Sequence, residues 1–79
     1  MVVKMISCKC INTGEDKFLH TIGSERELIR GEVGDIAILM YTDGSCRRRS
    51  TTRVVKREEK GNTIKLYTKN TVYELELLR

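Results

Sequence analysis

The stretch Ile36-Ala37-Ile38-Leu39-Met40-Tyr41-Thr42-Asp43-Gly44 decides the fold. Its first six residues would be apolar on both faces of an extended chain, and a short apolar run bounded by turn residues reads as a strand covered from two sides. Asp43 and Gly44 tolerate the positive φ angles of a tight connection, so the chain reverses there and returns antiparallel. The return, from Ser45 to about Glu59, is too long for one ordinary strand of about five or six residues. The polar stretch Arg49-Ser50-Thr51-Thr52 in its middle predicts a bulge or a corner that divides it into two half-strands.

Working outward, residues 2–11 read as a first strand. Ile6, Cys8 and Cys10 fall on one face and Val3 and Met5 on the other, and the turn residues Asn12-Thr13-Gly14-Glu15-Asp16 follow. Residues 17–22 read as a second, shorter strand. Ser24-Glu25-Arg26-Glu27 has the form of a capping box, which predicts one or two helical turns near 24–30 before Gly31 stops them. Beyond Lys60-Gly61-Asn62, residues 63–68 and 71–78 alternate cleanly as two further strands joined through Lys69-Asn70.

The composition agrees with this reading. There is one Ala in 79 residues, whereas Val, Ile and Thr together number 21, and β-branched side chains suit a pleated surface better than a helix. The expected fold is all-β: one small domain over 1–79, a five- or six-stranded antiparallel meander closing into a barrel-like shape, with the short helical turn at one end. An open sheet packed against that turn is the alternative. No apolar run approaches the roughly 18–20 residues that span a bilayer, and Met1–Ile6 leads into Ser7-Cys8-Lys9-Cys10 with no apolar signal region. The expectation is a soluble, cytoplasmic protein with no membrane partner. Its small core leaves room for homo-oligomerisation.

Charge is unevenly placed. Between Gly44 and Arg57 lie Arg47, Arg48, Arg49, Arg53, Lys56 and Arg57 and no acid, so this segment carries +6 and the remainder of the chain −2. Guanidinium groups donate paired hydrogen bonds to phosphate and stay charged, so the ridge is a candidate contact for nucleic-acid phosphates or for an acidic protein surface. Tyr67 is the one aromatic expected on an exposed face beside it. The same arginines also read as a solvated edge that keeps neighbouring molecules from adding strands. In a single strand Arg47, Arg49, Arg53 and Arg57 would share a face, and a bulge near Ser50 would split them.

The remaining chemistry is sparse. Cys8, Cys10, Cys46 and His20 make four soft ligands, the number a structural zinc takes, but an i, i+2 pair on a strand diverges, so buried unreactive thiols are expected and no metal or cofactor. One His, no phosphate loop and scattered carboxylates leave no catalytic set, so no enzyme is expected.

Ser50-Thr-Thr-Arg-Val54, with Tyr67-Thr-Lys-Asn-Thr-Val-Tyr-Glu-Leu75 after the intervening turn, resembles a pattern in short uncharacterised all-β proteins of Gram-positive bacteria and their phages. The resemblance covers the C-terminal third to half of the chain. It implies a strand pair closed by the Thr-x-Asn-Thr-x-Tyr hairpin and a phage or bacterial origin, and no activity. The function expected is a non-enzymatic binding module that contacts nucleic-acid phosphates through the ridge. The alternatives are a protein–protein module or phage-encoded regulator docking an acidic partner, and a structural, oligomer-forming protein.

Overall fold

The computed structural model describes residues 1–78. Seven strands form one antiparallel sheet: β1 (Val2–Cys10), β2 (Glu25–Leu28), β3 (Ile36–Tyr41), β4 (Arg48–Arg53), β5 (Lys56–Lys60), β6 (Thr63–Tyr67) and β7 (Thr71–Leu77). Their order is β4-β3-β2-β1-β7-β6-β5. The edge strands β4 and β5 are consecutive in the chain, with only Val54 and Val55 between them, so the sheet must curl until its two edges nearly meet. Val54, fully buried, forms the corner: its N–H donates to the Asp35 carbonyl (2.9 Å) and its carbonyl accepts from Gly34 N–H (2.8 Å). The Val55 N–H donates to the Tyr67 carbonyl of β6, the strand next to the far edge (2.7 Å). No ladder joins β4 to β5, so the expected barrel is corrected to a curled open sheet of seven strands.

The concave face holds the core: Val3, Met5, Leu39, Leu66 and Leu75 are each at most 1% exposed. The imperfect alternation of β1 has a cause. Met5 pairs with Leu75 and Ser7 with Glu74, so Ile6 is the extra residue of a bulge, and Met5 and Cys8 both turn inward although three residues apart. The expected placement of Val3 and Met5 opposite Cys8 is therefore corrected: these three share the buried face, and Ile6 is exposed.

Two local expectations fail. Residues 25–28 are not a helical turn but strand β2, bonded to β1 on one side and β3 on the other. Two strand edges needing partners outweigh a capping preference, and Glu25-Arg26-Glu27-Leu28 also alternates with period two. Residues 17–22 are not a strand. Phe18 is left-handed (φ 52°), and a short 3-10 turn, Leu19–Thr21, follows it. Thr21 is buried and bonds back to the Phe18 carbonyl through its N–H (2.9 Å) and its hydroxyl (2.8 Å).

The return from the Asp43-Gly44 reversal forms two strands, as expected, but the polar stretch 49–52 holds a bulge inside β4 and the division falls after it, at Val54-Val55. A bulge sits at Thr51-Thr52, where Ile38 pairs with Ser50 and Ile36 with Arg53, and the corner follows at Val54-Val55. The buried Thr51 hydroxyl accepts the Ala37 N–H (3.0 Å) that the bulge leaves without a ladder partner. Among the described residues no helix is long and apolar enough to cross a membrane.

Candidate anion-binding cleft

Cross-strand partners share a face, so register decides where each arginine goes. Val3 pairs with Arg26 and Arg26 with Tyr41, which puts Arg26 and Tyr41 on the concave side at one end of the core. Arg49 pairs with buried Leu39 and joins them, as does Arg47, whose carbonyl accepts the Tyr41 N–H (2.9 Å). The bulge at Thr51-Thr52 then reverses the parity. Arg53 lies opposite exposed Ile36 on the convex side.

The result is an open cleft of about 380 Å³ lined by His20, Thr21, Arg26, Tyr41, Arg47, Arg48 and Arg49, with no carboxylate in its wall. Its aromatics hold guanidinium groups in place. The Tyr41 ring lies between Arg26 (3.5 Å to the ring centre) and Arg47 (4.6 Å), and Arg49 stacks on Phe18 (3.7 Å). Both faces of Tyr41 are thereby occupied, so the cleft offers planar cations rather than a bare aromatic platform.

Arg26 is the unusual member. It is 1% exposed, donates from Nε to Ser24 Oγ (3.1 Å) and from Nη1 to the Leu39 carbonyl (3.2 Å), and has no carboxylate within 4.0 Å among the described residues. Burial pulls its pKa below the usual arginine value; the Arg49 and Arg47 charges act in the same direction and Tyr41 opposes them. It stays charged at neutral pH, because guanidinium starts from so high a value. The residue is covered but shallow, at the wall of an open cleft, so solvent still screens it.

Arg48 and Arg49 likewise have no ion pair among the described residues, whereas Arg47 meets Asp43 (3.3 Å) across the hairpin. A second cleft of about 240 Å³ adjoins through Arg49 and is lined by Lys17, Phe18, Ser50, Thr51, Thr52, Thr68, Asn70, Thr71 and Tyr73. It carries hydroxyls, an amide and two cations, and again no acid.

The ridge expected from sequence is thus divided. Arg47 and Arg49 come together on the concave side, Arg48 borders the cleft but pairs with Met40 on the convex face, and Arg53, Lys56, Arg57 and Tyr67 do not line it. Lys56 lies 5.3 Å from the Tyr67 ring and 4.0 Å from Glu58, and Tyr67 is half-buried on the convex side. Arg57 is a structural strap: it donates to the Gly31 carbonyl (3.2 Å), to Glu32 (3.4 Å) and to Glu59 through Nε (2.9 Å). A further cleft, lined by Glu58, Lys60, Thr63, Lys65 and Glu74, mixes both signs and has no strong net field.

Arg26 escaped the sequence reading because it was assigned to the capping box. The signal that finds it is the alternation of Arg26 and Leu28 against Glu25 and Glu27, which places the arginine on the buried side. Cys8 is buried, which pushes its thiol pKa up, Cys10 is half-buried and Cys46 exposed. Among the described residues no three His, Cys, Asp or Glu side chains come together as a metal site.

No family model matches the chain, and neither a curated protein nor a solved structure matches it, so nothing in these comparisons bears on the C-terminal resemblance.

Proposed function

We propose that the protein is a non-enzymatic binding module that holds nucleic-acid phosphates in the arginine cleft. The observation that carries this reading is Arg26: a covered guanidinium without a carboxylate, on the same side of the sheet as Arg49, which also lacks one. A covered guanidinium with only neutral partners lacks a counter-ion, and an anion from solution supplies one. Planar forks fixed on Tyr41 and Phe18 suit the paired acceptor oxygens of phosphate. The adjoining hydroxyl-lined cleft provides for the neutral groups between successive phosphates, which favours a nucleic acid over an acidic peptide. Contacts of this kind position a strand without reading its bases.

The test is a mobility-shift series with single- and double-stranded DNA and RNA, beginning at low ionic strength where counterion release is most favourable. Retention that falls steeply with salt is expected. The Arg47→Glu/Arg48→Glu/Arg49→Glu protein should lose it by about 100-fold or more while keeping its β-sheet circular dichroism. No retention of any nucleic acid at low salt, or retention unchanged in the triple variant, removes the reading. Capture of a poly-glutamate peptide in place of nucleic acid would replace it with the acidic-protein alternative.

A further inference from the structure

We infer that the arginine cleft recognises a terminal phosphate, the phosphomonoester at the end of a strand, rather than phosphodiesters along its length. This deepens the reading above and rests on it. The first ground is cover. Arg26 is only 1% exposed yet forms part of the cleft wall, so a group that pairs with it must enter the cleft. An internal phosphodiester carries a sugar on each side and presents two free oxygens. A terminal monoester is tethered on one side only and presents three.

The second ground is charge. A monoester carries about −1.5 to −2 at pH 7, roughly twice a diester, and Arg26 and Arg49, two guanidiniums on the concave side without carboxylates, match it. The third is rigidity. Arg26 is held by Ser24 Oγ, the Leu39 carbonyl and the Tyr41 ring, and Arg49 by the Phe18 ring, so little side-chain freedom is lost when the anion arrives. The remainder of the strand leaves past Arg49 into the hydroxyl-lined cleft, which shares that residue.

The experiment is fluorescence-anisotropy binding of one twelve-nucleotide strand in three forms, 5′-phosphorylated, 3′-phosphorylated and hydroxyl at both ends, with the phosphorylated forms also competed by adenosine monophosphate or inorganic phosphate. The phosphorylated strand should bind about tenfold more tightly than the hydroxyl strand near physiological salt. Arg26→Met should erase that difference and leave the weaker backbone binding. Arg49→Gln, at a half-buried position shared by both clefts, should reduce it several-fold and serves if Arg26→Met does not fold.

Equal affinity for phosphorylated and hydroxyl strands overturns the inference and leaves the broader reading standing. Absence of binding by all forms at low salt overturns both. If free adenosine monophosphate binds as tightly as the phosphorylated strand, a small phosphate ester takes the place of the nucleic-acid end as ligand, and the inference fails.

Discussion

Two arginines face the interior from opposite ends of the concave sheet, and their surroundings differ. Arg57 closes one end against Gly31, Glu32 and Glu59, its charge answered by two carboxylates and a carbonyl. Arg26 sits at the other, with a hydroxyl, a carbonyl and an aromatic ring but no carboxylate, and with further arginines beside it. Partly buried charge that is locally satisfied fastens the structure. Covered charge without a counter-ion contributes less, and the proposed anion would supply one.

The sharpest contrast comes from replacing each arginine by methionine, of similar length and no charge. Arg57→Met should lower the unfolding free energy by about 1–3 kcal/mol in urea, because it removes charge-assisted bonds and leaves the Gly31 carbonyl without this donor. Arg26→Met should change it by less than about 1 kcal/mol, the lost bonds offset by the removal of an unpaired covered charge. A larger loss at Arg26 than at Arg57 would reverse the comparison.

A second test makes the strapped end resemble the open one. Glu32→Gln with Glu59→Gln strips Arg57 of its carboxylates, and the melting temperature should fall by about 1–3 °C, since both acids are largely exposed. Phosphate buffer, compared with chloride at equal ionic strength, should then restore part of the loss. In the unaltered protein phosphate should already stabilise through the Arg26 end.

Acid acts on the loops flanking the cleft and the corner. Hydrogen bonds from the Ser45 hydroxyl and N–H, and then Arg47, hold the Asp43 carboxyl below the usual carboxylate range; the Ile36 N–H and then Arg30 do the same for Asp35. A carboxyl depressed in the folded state stabilises fully above its unfolded pKa, and that contribution disappears as pH falls through the folded value. The melting temperature should therefore drop between roughly pH 4 and pH 2, with a smaller drop in Asp35→Asn. An equal drop in that variant would show that these pairs contribute nothing. The smallest effect is expected for Asp43→Asn, which frees Arg47 from its ion pair and should tighten oligonucleotide binding by about two- to threefold at low salt.

Much of the fold was legible because it rests on local alternation. The central strand 36–41, the reversal at Asp43-Gly44, the divided return and the C-terminal hairpin are all in place. The helical turn expected near 24–30 failed where local preference met unpaired strand edges. Ser24-Glu25-Arg26-Glu27 caps well but alternates as well, and only the vacant edges of β1 and β3 settle which pattern wins. The candidate site was half legible. Arg47–Arg49 announced themselves as a charge run, whereas Arg26 is hidden among acids in sequence and meets the others only through the register of β2 with β3.

By itself, the order of residues determined that this chain makes short antiparallel strands and that positive charge is concentrated between residues 47 and 57, since propensity, period and charge are properties of neighbours. Tertiary structure alone decided that the sheet stays open, that the bulge at Thr51-Thr52 turns Arg53 away from Arg49, and that Arg57 is neutralised while Arg26 is not. Those outcomes depend on register and curvature, which are set by strands distant in the chain finding one another.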